Sequence, residues 1–262
     1  MADVKIITFN CTGMANSIRR TALFEIFRRL PAQIILTQET HSKPEDEAIW
    51  AREWAPRTVD FNSAKNTTSY PRNGVEIFIN DPNIKVNTVK KDLEGRILTA
   101  DVSIHFVDLH LINIYVPVEK NSAKNEIFDS LYPYTISSLP VVMAGDFKVV
   151  DQPNIDRLPP GDNAERRKAL ISLCNFFQLT DAYRDLYRDA RTYTRRQGTS
   201  HSRLDRFHIS REINPSNQLT ISSTLSDHDI VVLQIKNIQN TQRGKGIWKN
   251  NTKIYDLQSF QN

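Results

Sequence analysis

The chain has 262 residues, of which 39% are hydrophobic, so it is long enough to bury a sizeable core in one large domain or two small ones. No apolar run approaches the roughly 20 residues that cross a bilayer, and no membrane partner is expected. The two cysteines, Cys11 and Cys174, exclude a disulfide framework and favour a reducing compartment. The N-terminus leads straight into a strand pattern, so no signal peptide is expected.

The formal net charge of +4 comes entirely from residues 236–262, which hold five basic residues and one acid. Within the neutral remainder, residues 191–211 contain six arginines and a single acid. This arrangement suits a polyanionic partner. Charge alone, however, favours a solvated face followed by a linker, so the choice depends on the rest of the sequence.

The first predicted elements are a strand, a helix and a second strand. Val4–Phe9 has a strand pattern, and Asn16 or Ser17 can cap a helix that ends before Pro31. The second strand is Ile34–Gln38. The apolar stripe of the helix is predicted to comprise Ile18, Ala22, Ile26, Phe27 and Leu30.

A short amphipathic helix is expected around residues 44–54, and helices are also predicted at Ser122–Leu131 and Ala164–Phe177. The apolar face of the last helix is predicted to comprise Leu170, Ile171, Cys174 and Phe177. Close spacing predicts antiparallel pairing among the strands Val75–Asn80, Ile84–Lys90, Arg96–Ile104 and Asp108–Val116. Later strands are predicted at Pro140–Phe147, Leu204–Ser210, Gln218–Ser222 and Ile230–Ile235. Hairpins mixed with separated helices indicate an α+β fold in which two packed mixed β-sheets are flanked by helices.

Polar side chains recur where the predicted strands begin or end. These positions are Asn10, Glu39, Asp146, Asp205, Asp227 and His228, with Tyr115 late in a further strand. Strand ends can direct several side chains into one cleft on a rigid scaffold. Any one of these residues is more simply a turn or capping residue. Five or more polar strand ends together are hard to attribute to turns, so they form the candidate site.

The chemistry of this set is coherent. Carboxylates bind hard cations such as Mg²⁺ through oxygen. Hydrolysis of an anionic phosphodiester requires a metal ion or an imidazolium to neutralise charge in the transition state, and a carboxylate to take a proton from water. An Asp–His pair can hold an imidazole in one tautomer, or charged. The residues therefore indicate metal-assisted hydrolysis of a phosphoester.

With these residues in place, the chain resembles the endonuclease/exonuclease/phosphatase superfamily, which includes exonuclease III, apurinic endonucleases and the endonuclease domains of non-LTR retrotransposons. The similarity covers residues 4–235, and its blocks stand in the family order. The blocks are Thr8-Phe9-Asn10, Thr37-Gln38-Glu39-Thr40-His41, Asn113-Ile114-Tyr115-Val116-Pro117, Gly145-Asp146-Phe147, Tyr193-Thr194, Ser202-Arg203-Leu204-Asp205-Arg206 and Ser226-Asp227-His228. The resemblance implies a four-layer α/β sandwich of two β-sheets flanked by helices.

The resemblance also implies which residues bind the cofactor, Mg²⁺ or Mn²⁺. Glu39 would be the main ligand, Asn10 would lie beside it and hold metal or phosphate, and Asp227 would lie in or near the metal shell. The implied substrate is double-stranded DNA, and the implied product is a nick that carries a 3′-hydroxyl.

Further residues would act on the water and the phosphate. Asp146 would orient and deprotonate the attacking water, and Tyr115 would contact the scissile phosphate. Asp205 would pair with His228, which faces the phosphate. Lys148 departs from the family, which usually has Asn two residues after this Asp; a lysine lacks the acceptor and lowers the basicity of a neighbouring acid. An engineered inactivation, an active natural variant and a natural loss of activity all stay open as explanations.

Two features resemble the retrotransposon branch of the family. One is Tyr193-Thr194 followed by Ser202–Phe207, and the other is the Gly-x-Gly-x-Trp-Lys-x-Asn pattern of Gly244–Asn251. They imply that residues 1–236 are an endonuclease domain and that residues 237–262 are a poorly ordered basic extension toward a downstream reverse transcriptase. The nick would prime reverse transcription in the nucleus after synthesis of the protein in the cytoplasm, and the rest of the polyprotein would bind the element RNA. An ordinary basic linker is the simpler interpretation of the tail.

The arginine-rich segment is predicted to contact DNA through Thr194, Arg195, Arg196, Arg203 and Arg206. The loop Arg195–Ser202 would enter a groove of the DNA, although a phosphate-contacting or solvated turn is the alternative. Two other functions share the pattern. One is a phosphoesterase for lipid or small phosphate esters, against which the arginines and the tail argue. The other is a catalytically silent DNA-targeting module, which Lys148 suggests.

Overall fold

The computed structural model describes residues 3–63, 73–104, 107–117, 126–161 and 164–236. The strands in these ranges are β1 (Val4–Asn10), β2 (Ile34–Gln38), β3 (Thr58–Asn62), β4 (Val75–Ile79), β5 (Lys85–Lys91), β6 (Ile97–Ile104), β7 (Val107–Tyr115), β8 (Val141–Asp146), β9 (Arg157–Leu158), β10 (Leu179–Asp181), β11 (Arg195–Gln197), β12 (Ser200–Ser202), β13 (Asp205–Ser210), β14 (Pro215–Ile221) and β15 (Ile230–Ile235). The helices are α1 (Ser17–Arg29), α2 (Glu47–Trp54), α3 (Glu126–Ser130), α4 (Tyr132–Thr135), α5 (Pro153–Asp156), α6 (Ala164–Phe176) and α7 (Ala182–Leu186), and a 3-10 turn at Pro44–Asp46 precedes α2.

Most of the strands in the described ranges belong to two six-stranded sheets. The first sheet has the order β14-β15-β1-β2-β4-β3, and the second has the order β10-β13-β8-β7-β6-β5. Each sheet contains one parallel pair, β1 with β2 and β7 with β8, among antiparallel neighbours. The carboxyl ends of parallel strands lie at the same edge of a sheet, so each parallel pair brings its two strand ends together.

Three apolar clusters show why the chain forms layers. Side chains alternate between the faces of a strand, so in β1 Ile6 packs between the two sheets while Ile7 and Phe9 pack against α1 and α2. The outer face of the second sheet packs against α3 and α6 through residues such as Phe128 and Leu173. The order is therefore helices, sheet, sheet, helices, and the predicted four-layer sandwich with two mixed sheets is confirmed.

Helix α1 packs only part of the predicted stripe against the core: Phe27 is buried and Ile26 and Leu30 pack beside it, whereas Ile18 and Ala22 are exposed. Asn16 caps it as expected, because its side chain accepts a hydrogen bond from the backbone N–H of Arg19 at 3.0 Å. The predicted stripe residue Ile18, however, is 81% exposed. The buried face is made of Arg20, Leu23, Phe24 and Phe27. The arginine is accommodated because its guanidinium pairs with Glu53 at 2.6 Å and lies 4.9 Å from the ring of Trp50.

Smaller differences occur in the second half of the chain. In α6 Leu173 is buried, whereas the predicted core residue Ile171 is 39% exposed. Sequence patterns also missed the short strands β3, β9 and β10. Strands β11, β12 and β9 form a small third sheet beside the main two, and β11 pairs with β12 as the predicted hairpin between Arg195 and Ser202.

Parts of the predicted organisation fall outside the described residues. These parts are the tail 237–262 and the first residues of the predicted helix Ser122–Leu131. The division at residue 236 therefore stays a prediction. Within the part of the chain that the structure describes, each helix is too short or too polar to cross a membrane.

Candidate active site

The candidate site lies at one edge of the molecule, where both sheets bring their strand ends together. The register pairs Tyr115 of β7 with Asp146 of β8, and Asp146 with Asp205, the first residue of the antiparallel strand β13. Asn10 ends β1, and Glu39 directly follows β2. The two sheets thus supply carboxylates from opposite sides of a shared cleft.

Asp227 and His228 reach this edge because β15 runs antiparallel to β1 and they precede it. Ser226 fixes their loop, since its hydroxyl donates to the backbone oxygen of Asn10 at 2.8 Å and accepts from the backbone N–H of His228 at 3.0 Å. The Ser226-Asp227-His228 block is therefore tied to the end of the first strand.

A buried hydrogen-bond chain orients the imidazole. Thr194 donates to Asp205 Oδ2 at 2.6 Å, and the same oxygen lies 2.8 Å from Nδ1 of His228. The other ring nitrogen of His228 lies 3.7 Å from Asp146 Oδ2. Burial opposes a charge on the ring, but the carboxylates of Asp205 and Asp146 outweigh it and raise the pKa of His228. The pairing of Asp205 with His228 is as the sequence predicted.

Asn10 connects the two central carboxylates. Its amide nitrogen donates to Glu39 Oε1 at 3.0 Å and to Asp146 Oδ2 at 2.8 Å, while its amide oxygen accepts from the backbone N–H of Thr12 at 3.0 Å. In this arrangement Asn10 holds the carboxylates side by side through its nitrogen, and its role as a metal ligand stays a prediction.

Backbone geometry places Glu39 and Asp146. Glu39 has a φ of 50°, in the left-handed region that few non-glycine residues adopt. Before Asp146, Gly145 has a φ of +147°, and a Cβ atom there would lie 1.9 Å from the backbone oxygen of Ile114. Only glycine allows β8 to approach β7 this closely, so Gly145 determines the position of the carboxylate that follows it.

Lys148 turns back into the site. Its ammonium lies 2.6 Å from Asp146 Oδ2 and 3.1 Å from Glu39 Oε1, and its side chain is only 7% exposed. Burial opposes ionisation of Asp146, but the charges of Lys148 and His228 outweigh it and lower the pKa of this carboxyl. Asp146 is therefore ionised, and it is a weaker base than an unpaired buried carboxylate.

Tyr115 completes the wall of the site. Its hydroxyl donates a hydrogen bond to Glu39, and burial together with the neighbouring carboxylates of Glu39 and Asp146 raises the pKa of the phenol. The tyrosine is therefore a neutral donor at any physiological pH.

Sequence reasoning missed a buried hydrogen-bond network around Glu76, next to the turn that carries Glu39. Glu76 of β4 is fully buried and accepts from the hydroxyls of Thr37, Thr40 and Ser42 at 2.8, 2.5 and 2.8 Å. Burial raises its pKa to about 7. This network supports the turn that carries Glu39. The sequence signal that could have revealed this network is the presence of one acidic residue, Glu76, within the apolar strand Val75–Ile79.

The hairpin β11–β12 borders the site and is held to the His228 loop. Arg195 pairs with Asp227 at 2.9 Å, and Arg196 pairs with Asp229. Both arginines are partly exposed, at 27% and 48% of the side chain, so they stand at a surface that a ligand can reach.

Three of the five predicted DNA-binding residues are buried, and their assignment is corrected. The hydroxyl of Thr194 donates its hydrogen bond to Asp205, as described above. Arg203 and Arg206 have fully buried side chains. Arg203 pairs with Asp156 at 2.7 Å and Asp181 at 2.7 Å, and Arg206 pairs with an aspartate of the loop after β8 at 2.8 Å. Guanidinium groups that neutralise internal carboxylates offer no surface to DNA.

The donor set fits a hard divalent cation. Among the described residues, Asp146, Asp205 and His228 have potential ligand atoms that all lie within 4.8 Å of one another, although these atoms are occupied by their mutual contacts. Glu39 is partly exposed and supplies further carboxylate oxygen, the donor that Mg²⁺ and Mn²⁺ prefer. A cation at Glu39 has Lys148 as its immediate neighbour.

Comparison with known proteins places this geometry in a family. The model of the endonuclease/exonuclease/phosphatase family matches residues 7–228, a range that contains every residue of the site described above. An uncharacterized 149 kDa protein of transposon TX1 from Xenopus laevis is 29% identical over 269 residues. That match covers 98% of this chain and 20% of the relative, so the chain spans about one fifth of the length of that protein.

Solved structures with the same fold include three AP endonucleases. LMAP from Leishmania major has a TM-score of 0.72 at 16% identity, with 90% of this chain and 88% of that chain covered. An AP endonuclease from Archaeoglobus fulgidus has a TM-score of 0.69 at 20% identity, with 89% and 100% covered. The catalytic domain of Xenopus laevis APE2 has a TM-score of 0.72 at 17% identity, with 89% and 92% covered. Because the family match extends over most of the chain and encloses the whole site, the chain belongs to the endonuclease/exonuclease/phosphatase family.

Proposed function

We propose that the chain is a divalent-metal-dependent DNA endonuclease that nicks double-stranded DNA and leaves a 3′-hydroxyl. The observation that carries this proposal is the buried chain Thr194–Asp205–His228, which directs an imidazole of raised pKa toward Asp146 beside Glu39. A site with one imidazole of raised pKa and two carboxylates matches the needs of phosphodiester hydrolysis.

The roles follow from the contacts. Asp146 is ionised and adjacent to His228, so it is placed to orient a water molecule and accept its proton. His228 would donate a charge-assisted hydrogen bond to a phosphate oxygen, and Asp205 would hold the ring in position. Tyr115 would donate to the same phosphate once it leaves Glu39. Bound Mg²⁺ or Mn²⁺, held by Glu39 with Asn10 and Asp227 nearby, would supply neutralisation of charge on the phosphate.

The biological setting is part of the proposal. The likeness to a transposon TX1 protein and the fraction of it that the chain covers support an origin as one segment of a transposon polyprotein. The nick would then prime reverse transcription at the target in the nucleus, after synthesis of the protein in the cytoplasm. The element RNA would be bound by other parts of that polyprotein. The exposed arginines Arg195 and Arg196 are the proposed DNA contacts.

One observation favours a second function. The ammonium of Lys148 occupies the space between Glu39 and Asp146, and it weakens Asp146 as a base. A chain with such a site could bind DNA through the hairpin without cutting it. A catalytically silent DNA-targeting module is therefore the alternative to the nuclease.

A plasmid-nicking assay with MgCl₂ separates these functions. The variants are the chain itself, Lys148→Asn, Asp205→Ala and, as a matched control, Asp185→Ala, which removes an exposed carboxylate on α7. The nuclease predicts nicking that falls by about 100-fold or more in Asp205→Ala and is unchanged in the control. Nicking by Lys148→Asn alone supports the silent module. Absence of nicking by every variant, with cleavage of a phosphoinositide, would reject the DNA function altogether.

A further inference from the structure

The backbone around Lys148 builds the lysine into the site. The residue has a φ of 50°, in the left-handed region that non-glycine residues rarely occupy. Its own N–H donates to Asp146 Oδ1 at 3.1 Å, so the chain curls around that carboxylate. The side chain then passes the ring of Tyr115, with the ammonium 5.5 Å from the ring centroid. This geometry differs from that of a surface lysine that happens to find an acid.

The ammonium bridges two carboxylate oxygens of the site, one of which belongs to the proposed metal ligand Glu39. It lies 2.6 Å from Asp146 Oδ2 and 3.1 Å from Glu39 Oε1. The amide nitrogen of Asn10 donates to the same two oxygens, at 2.8 and 3.0 Å. Both oxygens thus already have two donors from the chain, and one donor carries a full positive charge.

A divalent cation at Glu39 would have to displace this ammonium or lie beside it. Like charges at such distances repel strongly when the surroundings are poor in water, and Lys148 and Asp146 are both buried. The lysine also reduces the net charge of the Glu39–Asp146 pair from −2 to −1, which removes part of the attraction for a metal ion. The ammonium of Lys148 also stabilises the carboxylates of Glu39 and Asp146 when no metal ion is bound.

We propose that Lys148 is a tethered cation that competes with divalent metal for the Glu39 carboxylate beside Asp146, so that the site is stable without metal and binds Mg²⁺ weakly. This inference rests on the metal site of the proposed function. It makes two linked statements: removal of the positive charge raises the affinity for Mg²⁺, and the same change makes the stability of the protein depend on Mg²⁺.

The test is titration of MgCl₂ into the metal-free protein by calorimetry, together with thermal unfolding with and without MgCl₂. Lys148→Met removes the charge and the donors, Lys148→Gln removes the charge and keeps an N–H donor, and Lys148→Arg keeps the charge. We expect the two neutral variants to bind Mg²⁺ about tenfold more tightly than the chain itself, or better. We expect their unfolding temperature to fall without metal and to recover with MgCl₂, while Lys148→Arg behaves like the chain itself.

The outcomes separate this inference from the proposed function. Equal Mg²⁺ affinity in the chain and both neutral variants would overturn the competition by Lys148, and plasmid nicking by the same preparations would leave the endonuclease intact. Absence of Mg²⁺ binding in every variant, with no nicking at any MgCl₂ concentration, would overturn both. If Lys148→Met does not fold without metal, the Mg²⁺ affinity is measured on Lys148→Gln. Folding of Lys148→Met on addition of MgCl₂ would then support the competition by Lys148.

Discussion

Substitution of Arg203 tests whether the buried arginines support the fold or contact DNA. Arg203→Met keeps most of the apolar volume and removes the guanidinium, which donates to Asp156 at 2.7 and 3.1 Å and to Asp181 at 2.7 Å. Asp156 retains Arg184 as a partner. Asp181 retains only its helix-capping bonds, from the backbone N–H groups of Tyr183 and Arg184 at 3.0 and 3.3 Å. The substitution thus leaves Asp181 as a buried charge without a directly paired cation, although the more distant charge of Arg206 still lowers its pKa.

Removing one partner of a buried ion pair costs roughly 3–5 kcal/mol. The lower end applies because both aspartates retain other donors, so we expect the free energy of unfolding to fall by about 3 kcal/mol. A domain of this size usually has about 5–15 kcal/mol of stability, and the variant should still fold. Adding Asp181→Asn removes the stranded charge and keeps the capping oxygen, so the double variant should lose less than the sum of the single changes.

The assay is urea denaturation followed by circular dichroism, with DNA affinity measured on the folded proteins. Arg191→Met, which removes an exposed arginine, is the matched control and should change stability by about 0.5 kcal/mol or less. The structural role of Arg203 would be refuted if Arg203→Met unfolded at the same urea concentration as the chain itself while binding DNA more weakly. That result would restore the DNA contact expected from the sequence.

Three further predictions concern the site and its supports. Burial raises the pKa of Glu76 from 4.5 to about 7. About 3 kcal/mol of stability is therefore present at low pH and is lost as the pH rises through this range. In Glu76→Gln the free energy of unfolding, measured with urea, should change less between pH 5 and 7. Gly145→Ala should reduce nicking and lower the unfolding temperature, because its Cβ would collide with the backbone oxygen of Ile114. The control is Gly161→Ala, whose added Cβ would meet only the side chain of Arg157 at 4.0 Å. Joint replacement of Arg195 and Arg196 by Ala should redistribute nick positions on random DNA, and an unchanged pattern at a lower rate would contradict a reading role.

The sequence predicted the positions of several site residues correctly where polar residues coincide with strand boundaries. Asn10, Asp146 and Asp205 each stand at the end or the start of an apolar run, and a strand boundary can be recognised from the run alone. The sequence could not show that these boundaries lie at one edge, because that depends on which strands are neighbours. The ordered family blocks supplied this information, and the register of β8 with β7 and β13 confirms it.

Burial of charge was the part that the sequence could not predict. Arg203 and Arg206 lie in an arginine-rich segment, and arginines are usually exposed. Burial of Arg203 depends on Asp156 and Asp181, which are 47 and 22 residues from it along the chain. Burial of Arg206 depends on Asp151, in the loop after β8. The same reason explains why the buried face of α1 differs in part from the prediction, with Arg20 buried against Glu53 and Ile18 left at the surface.

The charged side chains of the site nearly balance one another, and their burial determines which of them a ligand can recruit. The acids are Glu39, Asp146, Asp205 and Asp227, and the cationic partners are Lys148, His228 and Arg195. Arg195 is partly exposed, so it can exchange Asp227 for a phosphate at little desolvation cost. Lys148 is buried between two carboxylates, and leaving them would strand both charges. A DNA phosphate can therefore replace Asp227 as the partner of Arg195. Lys148 can leave Glu39 and Asp146 only when another cation binds them in its place.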